Sequence, residues 1–321
     1  MIHISNRTPA FVAVTAAAIS LCLATPAVAA TDPAPPLTSA EQRELVPAYF
    51  YPRVNPNDGI VDQWERMCSV AKGKSIIVMN PNSGPGVKVD SNYTAAVKYC
   101  RDRGHKVVGY VYTNYGQRDP QGVRDDVDKY LRQYEADGIF LDEMNNYAQR
   151  AAFGGMTSRS YYSAISKYVR THGADPVGPA QMVIANPGDV SQEQGPWAID
   201  PNYNSGQKVV DVLVVFEGTA AKYSTWAQPT WVYQGTDRVQ AYRFAQLVHS
   251  ARAIPRSQEQ SLLELSRNRH AGYVYVTPEV EIKDAGGHVT NPLWNELSPY
   301  WFNRILPPVA PVVGANGTLF E

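Results

Sequence analysis

The sequence GIFLDE, residues 138–143, contains the feature that decides the fold. Four apolar residues end abruptly in two adjacent carboxylates, Asp142 and Glu143. A short apolar run that ends in charge is typical of a buried parallel strand whose carboxyl end opens into a cleft. In barrels that alternate strands and helices, this is the end at which chemistry takes place. The segment therefore predicts a β-strand that delivers acids to a cleft.

The same strand-then-helix pattern recurs on both sides of this segment. Eight apolar runs predict strands, at 45–51, 75–79, 106–113, 138–141, 182–185, 209–216, 244–251 and 272–276. Segments with helical periodicity alternate with them, at 58–72, 92–103, 123–134, 158–172, 257–268 and 293–305. The alternation predicts a single-domain (β/α)8 TIM barrel over residues 45–306. A doubly wound open sheet is the alternative, but no GxGxxG follows the first strand. Residues 218–242 fit neither pattern.

The two ends of the chain are expected to lie outside this barrel. Residues 1–30 combine a basic start, an apolar stretch and a small-residue cleavage pattern, which predicts a signal peptide and a secreted, extracellular protein. A membrane anchor is the alternative, but the apolar run is short for a span and no second one follows. We expect a flexible segment at 31–44 and a tail at 307–321.

Composition narrows the class of partner. The net charge of −1 gives no electrostatic reason to expect nucleic acid or an anionic membrane as a partner. The chain has 20 Tyr and 6 Trp against 8 Phe, so its aromatic rings mostly carry a polar edge. Such side chains suit carbohydrate, and they suit any wet interface equally well.

Two cysteines remain once the predicted signal peptide has been removed. Cys68 and Cys100 lie on the first and second predicted helices. In an exported chain this favours a disulfide, because neighbouring helices outside a barrel bring Cα atoms close together. Two buried thiols are the alternative. Without a CxxC motif or a paired-histidine pattern, we expect no metal and no cofactor.

Polar residues follow the predicted strands at the edge where a cleft would lie. They are Tyr51, Asn80, Asn114, Asp142, Glu143, Asn186, Glu217 and Thr277. Glycoside hydrolysis requires two carboxyl groups, one protonated and one ionised, and crowding of three acids would raise at least one pKa. His249 has no evident Ser or Cys partner, so a Ser–His–Asp triad is not supported.

Each of these residues also has a structural interpretation. An acid at a strand end is often a helix cap or a member of an ion pair. The Asn-Pro pairs at 80–81 and 186–187 suit turns, although their amides could bond sugar hydroxyls. Asp142 and Glu143 would point to opposite faces of an ideal strand, so both reach the cleft only if the backbone bends there.

Several segments resemble the spherulin-4-like proteins, which are grouped as glycoside hydrolase family 135. They are residues 49–52, 80–86, 109–113, 138–143, 186–188 and 215–217. The resemblance spans about Val46 to Pro278 and implies a (β/α)8 barrel and a secreted hydrolase. Characterised members cleave α-1,4-linked galactosamine polymers, such as the partly deacetylated galactosaminogalactan of fungal biofilms. It also implies that Asp142, Glu143 and Glu217 line the active groove.

The leading hypothesis is a secreted, monomeric endo-glycosidase that acts on an amino-sugar polysaccharide. We expect Asp142 to be the nucleophile or stabiliser and Glu143 or Glu217 the proton donor. Substrate binding is expected at Tyr51, Asn80, Tyr112, Asn114, Asn186 and Thr277. A non-catalytic carbohydrate-binding barrel is one alternative. A metal-dependent hydrolase is the other, disfavoured because the strand ends contain almost no histidine.

Overall fold

Eight parallel strands pair in chain order and close into a barrel. The computed structural model describes residues 35–53, 62–70, 75–172, 181–203, 206, 208–233, 238–251, 256–286 and 289–300. The barrel strands are β1 (Arg43–Ala48), β2 (Ser75–Met79), β3 (Lys106–Tyr112), β4 (Gly138–Asp142), β5 (Met182–Ala185), β6 (Val212–Thr219), β7 (Phe244–His249) and β8 (Tyr273–Val276). Pairing of Arg43 with Tyr273 joins β1 to β8. This closure confirms the barrel and excludes the open sheet.

Helices cover the outside of the barrel. They are α1 (Gln63–Val70), α2 (Ser91–Arg101), α3 (Pro120–Gln133), α4 (Ser158–Thr171), α5 (Ala220–Thr225) and α6 (Arg256–Asn268). Short 3₁₀ segments occupy Asn114–Gly116, Phe153–Gly155, Pro201–Tyr203 and Arg238–Arg243, and strands β9 (Ile282–Lys283) and β10 (Val289–Asn291) pair as a hairpin after β8. No helix in the described ranges is long and apolar enough to cross a membrane.

Local chemistry explains where the helices begin. Asp119 precedes α3 and accepts a hydrogen bond from the backbone N–H of Gln121 at 2.8 Å, with Pro120 at the first helical position. Thr157 and Ser160 form a reciprocal capping box at the start of α4. These caps satisfy backbone donors that have no partner within the helix.

Helix α3 packs closely on the barrel because a glycine in β3 leaves room for a tyrosine ring of the helix. A Cβ atom added at Gly109 of β3 would lie 2.1 Å from the ring of Tyr130 on α3, so only glycine leaves room for this buried ring. A disulfide joins Cys68 of α1 to Cys100 of α2, with 5.1 Å between the Cα atoms. The strands are apolar on both faces, as parallel strands between helices require; β2 is buried throughout.

The predicted strand limits need correction at β1 and β6. β1 runs over Arg43–Ala48, so Tyr51 lies beyond the strand and Arg43 and Glu44 belong to the barrel rather than to a flexible segment. β6 begins at Val212 because the N–H groups of Val209 and Val210 both donate to the carbonyl of Ala198 in the preceding loop. The strand then continues to Thr219, beyond the predicted end at residue 216.

The predicted last helix, 293–305, is wrong over its described part, residues 293–300. The Leu297 N–H donates to Oε1 of Gln63, and the Ser298 N–H donates to the hydroxyl of Tyr275. Backbone N–H groups that donate to these side chains are not available for helical hydrogen bonds. Residues 301–305, the predicted signal peptide at 1–30 and the predicted tail at 307–321 lie outside the described residues.

The unassigned region, 218–242, contains the end of β6, helix α5 and part of the 3₁₀ segment Arg238–Arg243. No α-helix is described between β5 and β6, where residues 186–203, 206 and 208–211 form loops and one 3₁₀ turn. Six described α-helices therefore accompany the eight strands.

Candidate active site

Three carboxylates lie at the carboxyl end of the barrel. Asp142 is the last residue of β4, Glu143 follows it, and Glu217 lies in β6. All three side chains are partly buried, so each is shielded by the barrel and open to the cleft. The three acids named from the sequence therefore share one site.

Asn186 connects two of these acids directly. Its side-chain nitrogen donates to Oδ1 of Asp142 at 2.9 Å and to Oε2 of Glu217 at 2.5 Å. The amide oxygen accepts the backbone N–H of Gly188 at 2.9 Å. Because a backbone N–H can only donate, this bond fixes the orientation of the amide and aims its NH₂ group at the acids.

A second side chain donates to Asp142. The hydroxyl of Tyr110, on the neighbouring strand β3, donates to Oδ2 of Asp142 at 2.9 Å. Both carboxylate oxygens of Asp142 are thus hydrogen-bonded. The ring of Tyr110 is in turn held edge-on against Tyr49, with 5.5 Å between ring centroids. The position of Asp142 is therefore fixed by side chains from three parts of the barrel.

A backbone bend brings Glu143 to the same side as Asp142. Glu143 has a φ of 53°, in the left-handed region that residues other than glycine rarely adopt. The buried hydroxyl of Thr113 carries one proton and lies within hydrogen-bonding distance of both backbone carbonyls, 2.8 Å from that of Asp142 and 2.9 Å from that of Glu143. The Tyr115 N–H also donates to the Glu143 carbonyl, at 2.8 Å. These bonds hold the strained conformation in place.

Glu217 reaches the site through a β-bulge in β6. Val214 and Glu217 pair with Ala245 and Leu247 of β7, which are two residues apart and therefore share one face. The step from Val214 to Glu217 is three residues on β6, whereas the paired step on β7 is two. β6 therefore contains one extra residue, as in a bulge. Phe216 packs on the helix side of the sheet. Without the extra residue, Glu217 would face the helices instead of the cleft.

The environment of the three acids favours their neutral forms to different extents. Burial, and then the charge of Asp142, raises the pKa of Glu217 from its ordinary 4.5 to about 7, although hydrogen bonds from Asn186 and Trp294 lower it. Burial also raises the pKa of Asp142, against hydrogen bonds from Tyr110, the Glu143 backbone and Asn186. The pKa of Glu143 is raised in the same direction by burial and by the charge of Asp142.

The predicted binding residues separate into two groups. Asn186 contacts the acids directly, and the backbone of Asn114 donates to the Glu143 carboxylate, whose pKa it lowers. Tyr112 is exposed at the end of β3 with Arg118 stacked on its ring at 4.2 Å. These three residues lie at β3 and β5, the strands on either side of β4.

The remaining three have structural contacts in the described residues. The hydroxyl of Tyr51 donates to Asp90 at 3.0 Å, beside the start of α2. Oδ1 of Asn80 accepts the Gly84 N–H at 2.9 Å and shapes the loop after β2. Thr277 is buried, and its hydroxyl contacts Glu279 at 3.4 Å. None of these contacts involves the three acids.

Sequence reasoning missed the aromatic residues around the acids. Tyr49, Tyr110 and Tyr115 all have a raised pKa, caused first by burial and then by the charges of the acids. The hydroxyl of Tyr110 bonds to Asp142 directly. Tyr110 and Tyr112 alternate along β3, and this period of two could have placed Tyr110 inside the barrel. Trp294, which lies far along the chain, carried no comparable signal.

Exposed apolar side chains collect at this same end of the barrel. In the described ranges, every large exposed hydrophobic residue lies at or after the carboxyl end of a strand. They are Tyr51, Val87, Val89, Tyr112, Tyr115, Tyr147, Phe153 and Ile282. Exposed aromatic rings beside a polar cleft mark an interaction surface.

The part of the chain that the structure describes contains no group of three or more His, Cys, Asp or Glu side chains placed to hold a metal ion.

The fold and this site define a (β/α)8 barrel protein with a cluster of three acids in its cleft. The sequence model of spherulation-specific family 4 matches residues 44–305, which is most of the chain. The chain therefore belongs to this family. Spherulin-4 of Physarum polycephalum is 31% identical over 200 residues, which are 60% of this chain and 51% of that protein. The alignment spans about half of the relative's length.

The structure of a fungal protein shares this fold. The crystal structure of Aspergillus clavatus Sph3 in complex with GalNAc superposes with a TM-score of 0.59 at 22% identity, covering 83% of this chain and 96% of that one. An endo-β-N-acetylglucosaminidase mutant from Cordyceps militaris aligns with a TM-score of 0.43 at 13% identity, covering 84% of this chain and 93% of that one. At such identities the likeness to Sph3 establishes the shared barrel alone.

Proposed function

We propose that this protein is a secreted glycoside hydrolase that cleaves an amino-sugar polysaccharide such as an α-1,4-linked galactosamine polymer. Glu217 is the proton donor, and Asp142 is the carboxylate that stays ionised. The observation that carries this proposal is the Asn186 bridge, in which one amide nitrogen donates to both acids. Two crowded carboxylates that share a donor favour a state with one proton between them.

Burial and hydrogen bonds together decide which acid keeps the proton. Asp142 accepts from Tyr110 and Asn186 through separate oxygens, and both donors favour its charged form. Glu217 shares the Asn186 donor and has a pKa of about 7, raised by burial and by the charge of Asp142. Neighbouring carboxyl groups whose environments push their pKa values apart assign the acid and base roles. At neutral pH a substantial fraction of Glu217 carries a proton that it can give to a leaving group.

The short separation of the pair supports a retaining reaction. Oδ1 of Asp142 lies 2.9 Å and Oε2 of Glu217 lies 2.5 Å from the same Asn186 nitrogen, so these two oxygens are no more than about 5.4 Å apart. Inverting enzymes hold their carboxyl groups roughly 6.5–9.5 Å apart to admit a water molecule, whereas retaining enzymes need about 5–5.5 Å.

The steps follow from these roles. Glu217 protonates the glycosidic oxygen as its bond to C1 breaks, and Asp142 attacks C1. Glu217 then takes a proton from water, whose oxygen displaces Asp142 from C1. The products are two shorter sugar chains, each with a new hydroxyl group at the site of cleavage. Asp142 is again a free carboxylate, and Glu217 is protonated again.

The rest of the cleft suits a cationic sugar polymer. Glu143 is partly exposed beside Asp142, so its charge can attract the ammonium group of a deacetylated amino sugar. The exposed rings of Tyr115, Tyr147 and Phe153 offer flat apolar faces against which sugars pack. The structure of Sph3 contains GalNAc, an amino sugar, which agrees with this substrate class.

Digestion of a defined polymer tests the proposal. The chain without residues 1–30 is incubated with partly deacetylated α-1,4-linked galactosaminogalactan, and products are read by mass spectrometry. We expect oligosaccharides from the wild type and a loss of about 10²–10⁴-fold in rate for Glu217→Gln. Glu264→Gln, an exposed acid on α6, is the matched control and should cleave like the wild type.

Two outcomes would contradict the assignment. Equal rates for wild type and Glu217→Gln would remove Glu217 as proton donor. Polymer that is bound but never cut by the wild type would indicate a carbohydrate-binding barrel instead. Binding is therefore measured in parallel by affinity electrophoresis, and Asp142→Asn is included to test the second carboxylate.

A further inference from the structure

The carboxyl end of β3 carries an exposed aromatic ring beside the acids. Tyr112 is the last residue of β3 and pairs with Asp142 on the neighbouring strand β4. Tyr110, two residues earlier, donates to the Asp142 carboxylate at 2.9 Å. Side chains two residues apart on a strand share a face, so Tyr112 lies on the same side of β3, closer to the mouth of the cleft. Tyr112 is 38% exposed there.

Arg118, in the loop after β3, covers one face of this ring. Its guanidinium carbon lies 4.2 Å from the centroid of the Tyr112 ring. Its Nη1 also donates to the Tyr112 carbonyl at 3.1 Å. One side chain therefore holds both the ring and the backbone of Tyr112. Because this face is covered, a ligand that stacks on the ring must use the opposite face.

Arg118 is itself held by two helices. Its Nη2 donates to the Gly122 carbonyl at 3.1 Å and to Oδ2 of Asp126 at 2.6 Å, both on α3. The Arg118 and Asp126 side chains are each 17% exposed, so solvent and salt screen this ion pair only weakly. The Arg118 carbonyl accepts the hydroxyl of Tyr161 on α4 at 2.8 Å. The planar guanidinium is thus fixed in one orientation, and so is the ring on which it stacks.

A ring that is already fixed is well suited to bind a sugar. Ordering a free side chain on binding costs conformational entropy, and a ring held by Arg118 avoids that cost. Hexosamine rings have apolar C–H faces that can pack on an aromatic face. Adjacent strands are about 4.8 Å apart, so a sugar on Tyr112 would be the direct neighbour of the sugar at Asp142.

We propose that Tyr112 is the stacking surface for the sugar unit next to the scissile bond, and that Arg118 is a positioning residue that holds the Tyr112 ring for this role. The proposal rests on the proposed function, because it adds a subsite to the same cleft. The ligand is one hexosamine unit of the polymer, recognised through the apolar face of its ring. Arg118 acts on this sugar only through Tyr112.

Steady-state kinetics on the amino-sugar polymer test the subsite. Tyr112→Ala removes the ring from a subsite that takes no part in the chemistry, so KM should rise by about 3–10-fold with little change in kcat. Arg118→Lys keeps the charge but loses the planar group that stacks on the ring. We therefore expect a KM about 2–5-fold higher for this variant.

A second arginine–tyrosine pair supplies the matched control. The guanidinium of Arg103 stacks on the ring of Tyr99 at 3.4 Å and donates to the Tyr99 carbonyl at 3.1 Å. This pair follows α2 and precedes β3, so it lies at the amino end of the barrel, away from the acids. Arg103→Lys should leave both KM and kcat unchanged.

A double variant separates positioning of the ring from a general effect on the loop. Arg118→Lys should raise KM when Tyr112 is present and have no further effect in the Tyr112→Ala background. Effects that multiply in the double variant would overturn the proposal. A KM that does not respond to Tyr112→Ala, or a fall in kcat of equal size when Arg118→Lys is made in either background, would overturn it as well.

One measurement leaves Tyr112 and Arg118 unaltered and needs no turnover. Glu217→Gln protein with ¹³C-labelled tyrosine rings is titrated with an α-1,4-linked galactosamine trisaccharide, and ring signals are assigned from Tyr112→Phe and Tyr99→Phe. The Tyr112 signals should shift, whereas those of Tyr99 should not. An unshifted Tyr112 would overturn the subsite, whether or not the wild type cuts polymer. A shift at Tyr112 in a protein whose wild type cuts no polymer would keep the subsite and refute the hydrolase function, so the two failures are distinguishable.

Discussion

Replacing Glu217 by Gln should abolish a loss of stability that the wild type undergoes as the pH rises. A carboxyl group whose folded pKa is raised gives stability that is fully present below its unfolded pKa and lost as pH rises through the folded pKa. For Glu217 the window runs from 4.5 to about 7. A difference of about 2.5 units corresponds to about 3–4 kcal/mol, at roughly 1.4 kcal/mol per unit. The glutamine side chain does not titrate, so the variant escapes this loss.

Equilibrium urea unfolding at pH 4 and pH 9 measures the effect. The free energy of unfolding of Glu217→Gln minus that of the wild type should increase by about 3–4 kcal/mol from the lower to the higher pH. Taking the change with pH removes any constant effect of the substitution on packing. The exposed Glu264→Gln variant should show no such change. A difference for Glu217→Gln that is flat with pH would refute the claim that the fold favours the neutral form of this acid.

Three further predictions concern the reaction and the fold. Proton NMR of the first products should show the anomeric configuration of the substrate, and the opposite anomer would contradict the short separation of the acid pair. Replacing Cys68 and Cys100 by Ser should lower the free energy of unfolding by about 3–4 kcal/mol, because the disulfide spans 32 residues; an unchanged urea midpoint would count against this. Gly109→Ala should destabilise by about 3 kcal/mol or prevent folding, because its Cβ would lie 2.1 Å from Tyr130. Gly122→Ala on α3, where the nearest atom is 3.7 Å away, should instead stabilise by about 0.5–1 kcal/mol, and destabilisation by both would contradict the packing argument.

The barrel could be predicted because its signals are local. Each parallel strand is buried on both faces, so its sequence is a continuous apolar run. The polar residue that follows the run indicates the position of the cleft. β2 and β5 have the predicted limits, 75–79 and 182–185. The acids of the cleft were found in the same way, from their place after such runs.

The prediction failed where backbone donors bond to distant side chains. The expected helix at 293–305 has ordinary helical periodicity, yet Glu279, Gln63 and Tyr275 take its backbone N–H groups. Those partners are assembled only by the closed barrel, so no window of sequence contains them. The bulge that turns Glu217 inward is similarly invisible, because it is defined by pairing with β7.

The electrostatic roles of the acids also depended on the structure. Asn186 is predicted to bind substrate, and the structure adds that its amide donates to Asp142 and Glu217. Which carboxylate keeps a proton follows from the number of donors around each acid and from its burial. Neither the number of donors nor the burial of an acid can be read from the spacing of the residues along the chain.

The most direct test of the central claim compares the activity of the wild type with the titration of Glu217. We measure kcat/KM on the amino-sugar polymer across pH and the Glu217 carboxyl carbon by ¹³C NMR on the same protein. If Glu217 is the proton donor, activity falls as pH rises through about 7, and the carboxyl carbon titrates with the same midpoint. A carboxyl midpoint near the ordinary 4.5, with activity that persists well above it, would contradict the assignment.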